Sequence, residues 1–254
     1  MRRGRPAGPT GSVVGRTLQM LDAFSAQRRA LSLSEIARRT DMPLSTVHRL
    51  MHELCAWGAV ERGEDGLFRI GLRLWELGSL APRGQGVREH ALPFLEDLSQ
   101  ITRENVQLAV REGGEVVFLE RIGGTGAVPV LTRVGGRFAL TTTGVGLVLL
   151  AHAPAQVQED VLGKPIERYT SKTVTDPGQL RRMLADVRAQ GFATSDRQIS
   201  MDTFSVAAPV QDAHGQVIAA VSLVVHHGSS KPLALAQLVR TSARAISRAL
   251  DTPI

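Results

Sequence analysis

Ser45, Thr46, His48 and Arg49, in the stretch Pro43-Leu44-Ser45-Thr46-Val47-His48-Arg49-Leu50, carry the donor and acceptor types that read a nucleic-acid duplex. Short hydroxyls near a helix N-terminus bond phosphate oxygens or base edges, and the free amides there favour an anion. A guanidinium in the next turn can take a guanine edge with two parallel bonds, or a phosphate. Any one of these side chains alone does no more than solvate a helix, so the case rests on what surrounds them. Arg62 and Arg69 flank a Gly63-Glu64-Asp65-Gly66 turn, and Arg2, Arg3 and Arg5 stand in an Arg-, Gly- and Pro-rich opening suited to a minor groove. His48 and His52 have the four-residue spacing of a metal pair, but no further ligand lies nearby, and they are read as solvated surface. No metal site and no cofactor are expected.

The elements that would position these groups follow from periodicity. Residues 1–12 show none and are read as a disordered basic arm. Val14, Leu18, Leu21 and Phe24 recur at helical spacing, giving a first helix. Ser32-Leu33-Ser34-Glu35 fits a capping box ahead of a second helix that runs to about Thr40. After the Asp41-Met42-Pro43 turn, Val47, Leu50, Met51 and Leu54 form the apolar stripe of a third helix ended by Gly58. Ala59–Arg62 and Leu67–Ile70 read as two short strands around the polar turn, which makes a wing.

Beyond this the pattern is helical from Leu72 to Leu80 and from Arg88 to Thr102, with a loose Ala81–Gly86 between, where the domain boundary is placed. Strands are expected at Val106–Val110, Glu115–Ile122, Val128–Thr132, Ser205–Gln211 and Val217–Val225, and helices at Thr143–Ala151, Ala155–Val161, Pro177–Gln190 and Lys231–Leu250. The expected fold is α+β in two domains: a basic arm (1–12), a winged helix-turn-helix (13–78), a linker and linker helix (79–102), and a mixed α/β domain with an antiparallel sheet (103–254).

Composition agrees with this division. The 254 residues suit one or two domains, 43% of them are hydrophobic, and the formal charge is +6. Residues 1–80 hold 12 arginines and 8 acids, a net +4, whereas the longer remainder holds 18 basic and 16 acidic residues, a net +2. The excess sits where a polyanion would be met. The single Cys55 forms neither an internal disulfide nor a cysteine-cluster metal site, and no apolar run reaches the roughly 18 residues of a membrane span, so a cytoplasmic protein without a membrane partner is expected. An enzyme is the main rival reading, but no G-x-S-x-G elbow, no phosphate-binding G-x-x-x-x-G-K-[ST] loop and no G-x-G-x-x-G after a strand is present. A pure protein-interaction module is a third reading, and the basic arm and Arg-bearing third helix argue against it.

Leu33-Ser34-Glu35-Ile36-Ala37-Arg38-Arg39-Thr40, followed by Pro43–Leu50, closely resembles the helix-turn-helix of IclR transcription regulators. The likeness continues through Gly58-Ala59-Val60-Glu61-Arg62, Phe68-Arg69-Ile70-Gly71 and Leu77-Gly78. It reappears in Val134–Gly146 and in Ala207-Ala208-Pro209-Val210 with Asp212–Val225, spanning about residues 13 to 250. It implies a GAF-like effector domain, a homodimer or dimer of dimers, and control of genes, usually by repression, through operator affinity that a small molecule sets. The DNA-binding set is then Arg3, Arg5, Ser34, Ser45, Thr46, His48, Arg49, Arg62 and Arg69.

Carried over by position, the family's effector pocket would be Val130, Phe138, Gly144 and Val145 on one side and Ser195, Ser205, Ser222 and Val224 on the other. Gly144 and Val145 would open a helix whose amides hold a carboxylate, Ser205 and Ser222 would add hydroxyl bonds, and Phe138 an apolar wall. The chain departs from the family at Phe138-Ala139-Leu140-Thr141, where Leu-Pro-Leu-His is common, at His226-His227-Gly228, where Gly-Pro is common, and at Asp202, where glycine is frequent. The expected effector is a carboxylic or aromatic acid rather than the simplest small acid.

Overall fold

Capping decides where the first helices begin. In the computed structural model, which describes residues 11–251 apart from Ser230, Ser12 Oγ accepts from Gly15 N–H and starts α1 (Val13–Leu21). Ser32 and Glu35 close a complete capping box at α2 (Leu33–Thr40): the Glu35 amide donates to Ser32 Oγ, and Ser32 N–H donates to Glu35 Oε2 at 2.8 Å. Asp41, at φ 53°, turns the chain into α3 (Leu44–Trp57), and Gly58, at φ 87°, ends that helix. Arg2, Arg3 and Arg5 of the expected arm lie outside the described residues.

The chain forms two compact units that divide at Pro82/Arg83. The first adds to these helices β1 (Ala30–Leu31), β2 (Val60–Arg62), β3 (Phe68–Ile70) and α4 (Leu72–Gly78). Its sheet runs β1-β3-β2, antiparallel throughout. Met20, Leu31, Ile36, Val47, Leu50, Met51, Val60 and Phe68 pack as one core. The two-residue β1 was too short to show a period, and the sequence reading passes over it.

The second unit holds α5 (Pro82–Thr102), β4 (Asn105–Glu112), β5 (Glu115–Ile122), β6 (Arg137–Ala139), α6 (Gly144–Ala151), α7 (Ala155–Leu162), α8 (Pro177–Gln190), β7 (Ala193–Asp196), β8 (Thr203–Gln211), β9 (Val217–His226) and α9 (Pro232–Leu250). The sheet order is β6-β5-β4-β9-β8-β7, every pair antiparallel. Alternation along the strands sends Val106, Leu108, Val206, Ala208, Val221 and Leu223 into a core with α5 and α9. The opposite face carries Ala207 and Ala220 into a second core with α6 and α8.

Two expectations are corrected here. Val128–Thr132 is not a strand: Pro129 offers no amide to a ladder, and the segment is held by side chains instead, with Asn105 Nδ2 donating to Val128 O at 2.7 Å. The stretch Ala81–Gly86 is not loose: α5 starts at Pro82, six residues before the expected Arg88, since a proline in the first helical turn lacks no needed amide. The glycines that follow it are carried by a 21-residue helix.

Candidate nucleic-acid interface and ligand pocket

On α3 the buried stripe Val47, Leu50, Met51 and Leu54 fixes the opposite face outward. Ser45, His48, Arg49 and His52 are exposed there, with Thr46 half-buried at its flank. Pro43 caps the helix without a side-chain bond, so its first amides keep their donors for an anion. Arg49 is paired one turn along with Glu53 at 2.9 Å. Ser34 is exposed in the first turn of α2.

At the wing, Arg69 grips Asp65 with both guanidinium nitrogens, at 3.0 and 2.6 Å. That clamp, aided by the Leu67 amide, holds the Asp65 carboxyl at about 2. A side chain on Gly63 would have to push the tips of Arg69 and Asp65 aside, disturbing the clamp. Arg62 lies over the Phe68 ring, 5.5 Å from its centroid. The structure therefore brings Ser45, Thr46, His48 and Arg49 onto one helix and Arg62 and Arg69 onto one hairpin. It also pairs two of these arginines with acids, a restraint the sequence reading did not include.

The ligand pocket lies in the second unit, on the sheet face under α6. Strand register sets two rows of residues across it. One runs Asn105, Val224, Ser205, Ser195, and the next runs Gln107, Ser222, Ala207, Ala193. Small and polar residues in these rows leave space where the other face is filled by Val and Leu. The cavity has an interior free volume of about 50 Å³.

Val130, Gly144, Val145, Ser195, Ser205, Ser222 and Val224 all line it. Phe138 does not, and its role as a wall is corrected: β6 is an edge strand pairing only with β5, and two strands, β5 and β4, stand between it and β9. Its ring instead meets Phe118 edge-on at 6.1 Å and Tyr169 at 6.2 Å.

Buried along its whole length, α6 points its N-terminus into this space. Its first intrahelical bond is Leu147 N–H to Thr143 O at 2.9 Å, and Thr143 Oγ1 takes the Gly146 amide at 3.0 Å. The amides of Gly144 and Val145 are thus left for a ligand. Ser195 Oγ is already committed, donating to Thr142 O at 2.8 Å, and so holds the turn that starts α6. Ser205 and Ser222 have no such partner among the described residues. No charged side chain lines the cavity among the described residues.

The mouth is covered by Ile199, Ser200 and Thr203 on one side and Pro129, Val130 and Leu131 on the other. The first side is pinned: Thr170 Oγ1 donates to Arg197 O at 2.6 Å, and Thr173 Oγ1 to Gln198 O at 2.7 Å. Two of the departures from the family pattern meet here. The His227 amide donates to Asp202 O at 2.8 Å, while its imidazole Nδ1 lies 3.0 Å from Asp196. Arg197 on Asp196 pulls that carboxyl below its usual range, with His227 adding to the effect.

Gln107, Thr132, Ile199 and Thr203 were missed from the sequence. For Gln107 a signal existed: in Asn105-Val106-Gln107-Leu108, polar residues alternate with apolar ones in a strand flanked on both sides, marking a face turned to something polar.

Residues 81–248 match the family model "Bacterial transcriptional regulator IclR C-terminal", and residues 13–64 match "IclR helix-turn-helix domain". The crystal structure of an IclR homologue from Microbacterium hydrocarbonoxydans, complexed with 4-hydroxybenzoate, is similar with a TM-score of 0.90 and 39% identity, covering 94% of this chain and 99% of that one. The HTH-type transcriptional regulator BhcR of Paracoccus denitrificans is 32% identical over 234 residues, 87% of this chain and 84% of that protein. The HTH-type transcriptional repressor AllR of Klebsiella pneumoniae is 30% identical over 260 residues, 98% and 96% of the two chains.

Proposed function

Because this chain belongs to the IclR family of bacterial transcriptional regulators, we propose that it is a repressor whose operator affinity is set by an aromatic carboxylic acid held in the cavity under α6. It is a DNA-binding transcriptional regulator with an effector-binding C-terminal domain; the class of effector, the sign of control and the residues in contact are the proposal.

The observation that carries the effector class is a cavity lined without charged side chains whose inner end presents two helix-terminal amides. A carboxylate fits that end, since the amides and the helix dipole complement a negative charge without a lysine or arginine. Ser205 supplies a hydroxyl beside it, and Val130, Val145, Ile199 and Val224 suit a ring or chain. The related protein bound to 4-hydroxybenzoate supports the same class.

For the DNA side, Ser45, Thr46, His48 and Arg49 enter the major groove, Ser34, Arg62 and Arg69 meet the backbone or the wing's groove, and Arg3 and Arg5 belong to a basic arm. Residues 13–78 serve as the DNA-reading part, 79–102 as the linker, and 103–254 as the effector part. Val14 and Leu18 on α1 and Leu72, Trp75 and Leu77 on α4 are exposed apolar side chains in the first unit, which supports pairing of two copies through that unit. Such a dimer would set two α3 helices about one DNA turn, roughly 34 Å, apart. No helix among the described residues is long and apolar enough to cross a membrane. Membership of a DNA-binding regulator family supports a regulator that acts in the cytoplasm rather than an enzyme.

Calorimetric titration with benzoate and 4-hydroxybenzoate tests the effector class. Saturable binding of at least one, lost in Ser205→Ala combined with Gly144→Val, is the expected result; absence of binding by either overturns it.

A further inference from the structure

The geometry points to Gln107 and Thr132 as a hydroxyl-reading pair, so that this pocket selects acids carrying a hydroxyl at the end opposite the carboxyl group. The inference rests on the aromatic-acid reading above and adds to it which acid is preferred.

Strand β4 lies between β5 and β9 with helices packed on both faces of the sheet, a setting that favours apolar side chains on either side. It nevertheless buries Asn105 and Gln107 on the cavity side. Asn105 is accounted for within the chain: its Nδ2 donates to Val128 O, and its Oδ1 accepts from Arg121 at 3.2 Å. Gln107 is only half accounted for. Its Nε2 donates to Thr132 Oγ1 at 2.5 Å, and its Oε1 has no partner among the described residues although the residue is only 3% exposed.

Thr132 is itself buried. With its oxygen taking the Gln107 proton, its own hydroxyl hydrogen is left to donate. Both residues line the cavity, so one acceptor and one donor stand side by side facing the ligand. A hydroxyl, which donates one proton and accepts another, is the complement of that pair. Buried polar groups of this kind are retained where something completes their bonding.

The position of the pair fits the far end of an acid. Gln107 stands in register with Ser222 on β9, and Ser222 with Ala207 on β8, the residue against which Gly144 packs. The two polar ends are therefore two strand spacings apart, roughly 10 Å before the side chains reach inward. That is the order of length of an acid with one six-membered ring between its polar groups.

Titration calorimetry of the full chain, and of Gln107→Met and Thr132→Val, with benzoate and 4-hydroxybenzoate tests this. The wild type is expected to prefer 4-hydroxybenzoate by at least about tenfold. Each variant is expected to bring the two acids within about threefold by weakening the hydroxylated one, with a wild-type circular dichroism spectrum and cooperative melting as the check on folding. Thr132→Val lies outside the sheet and carries the expectation if Gln107→Met does not fold. Equal affinity for both acids in the wild type, or an unchanged preference in the variants, overturns the pair's role and leaves the aromatic-acid reading standing. Failure of both acids on the wild type overturns that reading and this one with it.

Discussion

A Cβ placed on Gly144 would stand 2.9 Å from the Oγ of Ser205 and 3.3 Å from the Cβ of Ala207, so the first turn of α6 rests closely against β8 and an added side chain must push the Ser205 hydroxyl aside. Alanine suits a helix better than glycine by about 1 kcal/mol, which offsets part of the crowding. Gly144→Ala is expected to fold, to bind DNA as the wild type does without effector, and to lose at least tenfold in acid affinity. Wild-type acid binding in this variant would remove the α6 terminus from the site.

Arg49 and Glu53 form an exposed pair on α3, and such pairs contribute only about 0.3–0.5 kcal/mol. Arg49→Ala should therefore leave the melting temperature nearly unchanged while weakening operator binding by about tenfold or more, as expected for loss of a base-edge contact. Glu53→Gln, which releases the guanidinium, should tighten it a few-fold. Anisotropy titrations of the three proteins on one DNA decide the matter, and unchanged affinity in Arg49→Ala refutes its assignment.

The wing clamp has a pH signature. Asp65 titrates at about 2 in the folded chain, below its ordinary 3.8, because Arg69 and the Leu67 amide bond the carboxylate. A depressed folded value means that the contribution is complete above about pH 4 and is lost as pH falls through about 2. Carbon-detected NMR titration should show the low midpoint, and Arg69→Ala should return it toward 3.8. A midpoint near 3.8 in the wild type would mean that the clamp does not persist in solution.

Glu104 runs the other way. Its Oε2 is buried without a partner, and desolvation raises its pKa above 4.5 against the opposing charge of His226. A raised folded value favours the neutral acid, so stability is lost as pH climbs through that value. Glu104→Gln is expected to melt above the wild type at pH 7 and level with it near pH 3, as followed by calorimetry. A lower melting point at pH 7 would show that the charge is used.

What the sequence disclosed depended on whether the signal was local. The Ser32/Glu35 capping box, the α3 stripe and the bounds of α8 are written in residues three or four apart, and all appear as read. The strand expected at Val128–Thr132 failed because Pro129 offers no amide to a ladder and because the two ends of the segment are tied by hydrogen bonds from Asn105 and Gln107 of β4, which reach across more than twenty positions. Phe138 followed the family pattern into the pocket but stands on an edge strand whose place only the sheet order reveals. The Asn105/Gln107 alternation marked a polar face of β4, but that this face meets a cavity emerges only once Ser222 of β9 stands beside Gln107.

The acid and the DNA are expected to bind one protein in linked equilibria. Fluorescence anisotropy on the DNA upstream of its own gene, against a scrambled duplex, with salt varied and with or without 4-hydroxybenzoate, tests it most directly. Tight, salt-dependent binding to the native sequence alone, weakened when the acid is added, is the expected result. Equal binding to both duplexes, or an operator affinity that the bound acid leaves unchanged, would contradict it.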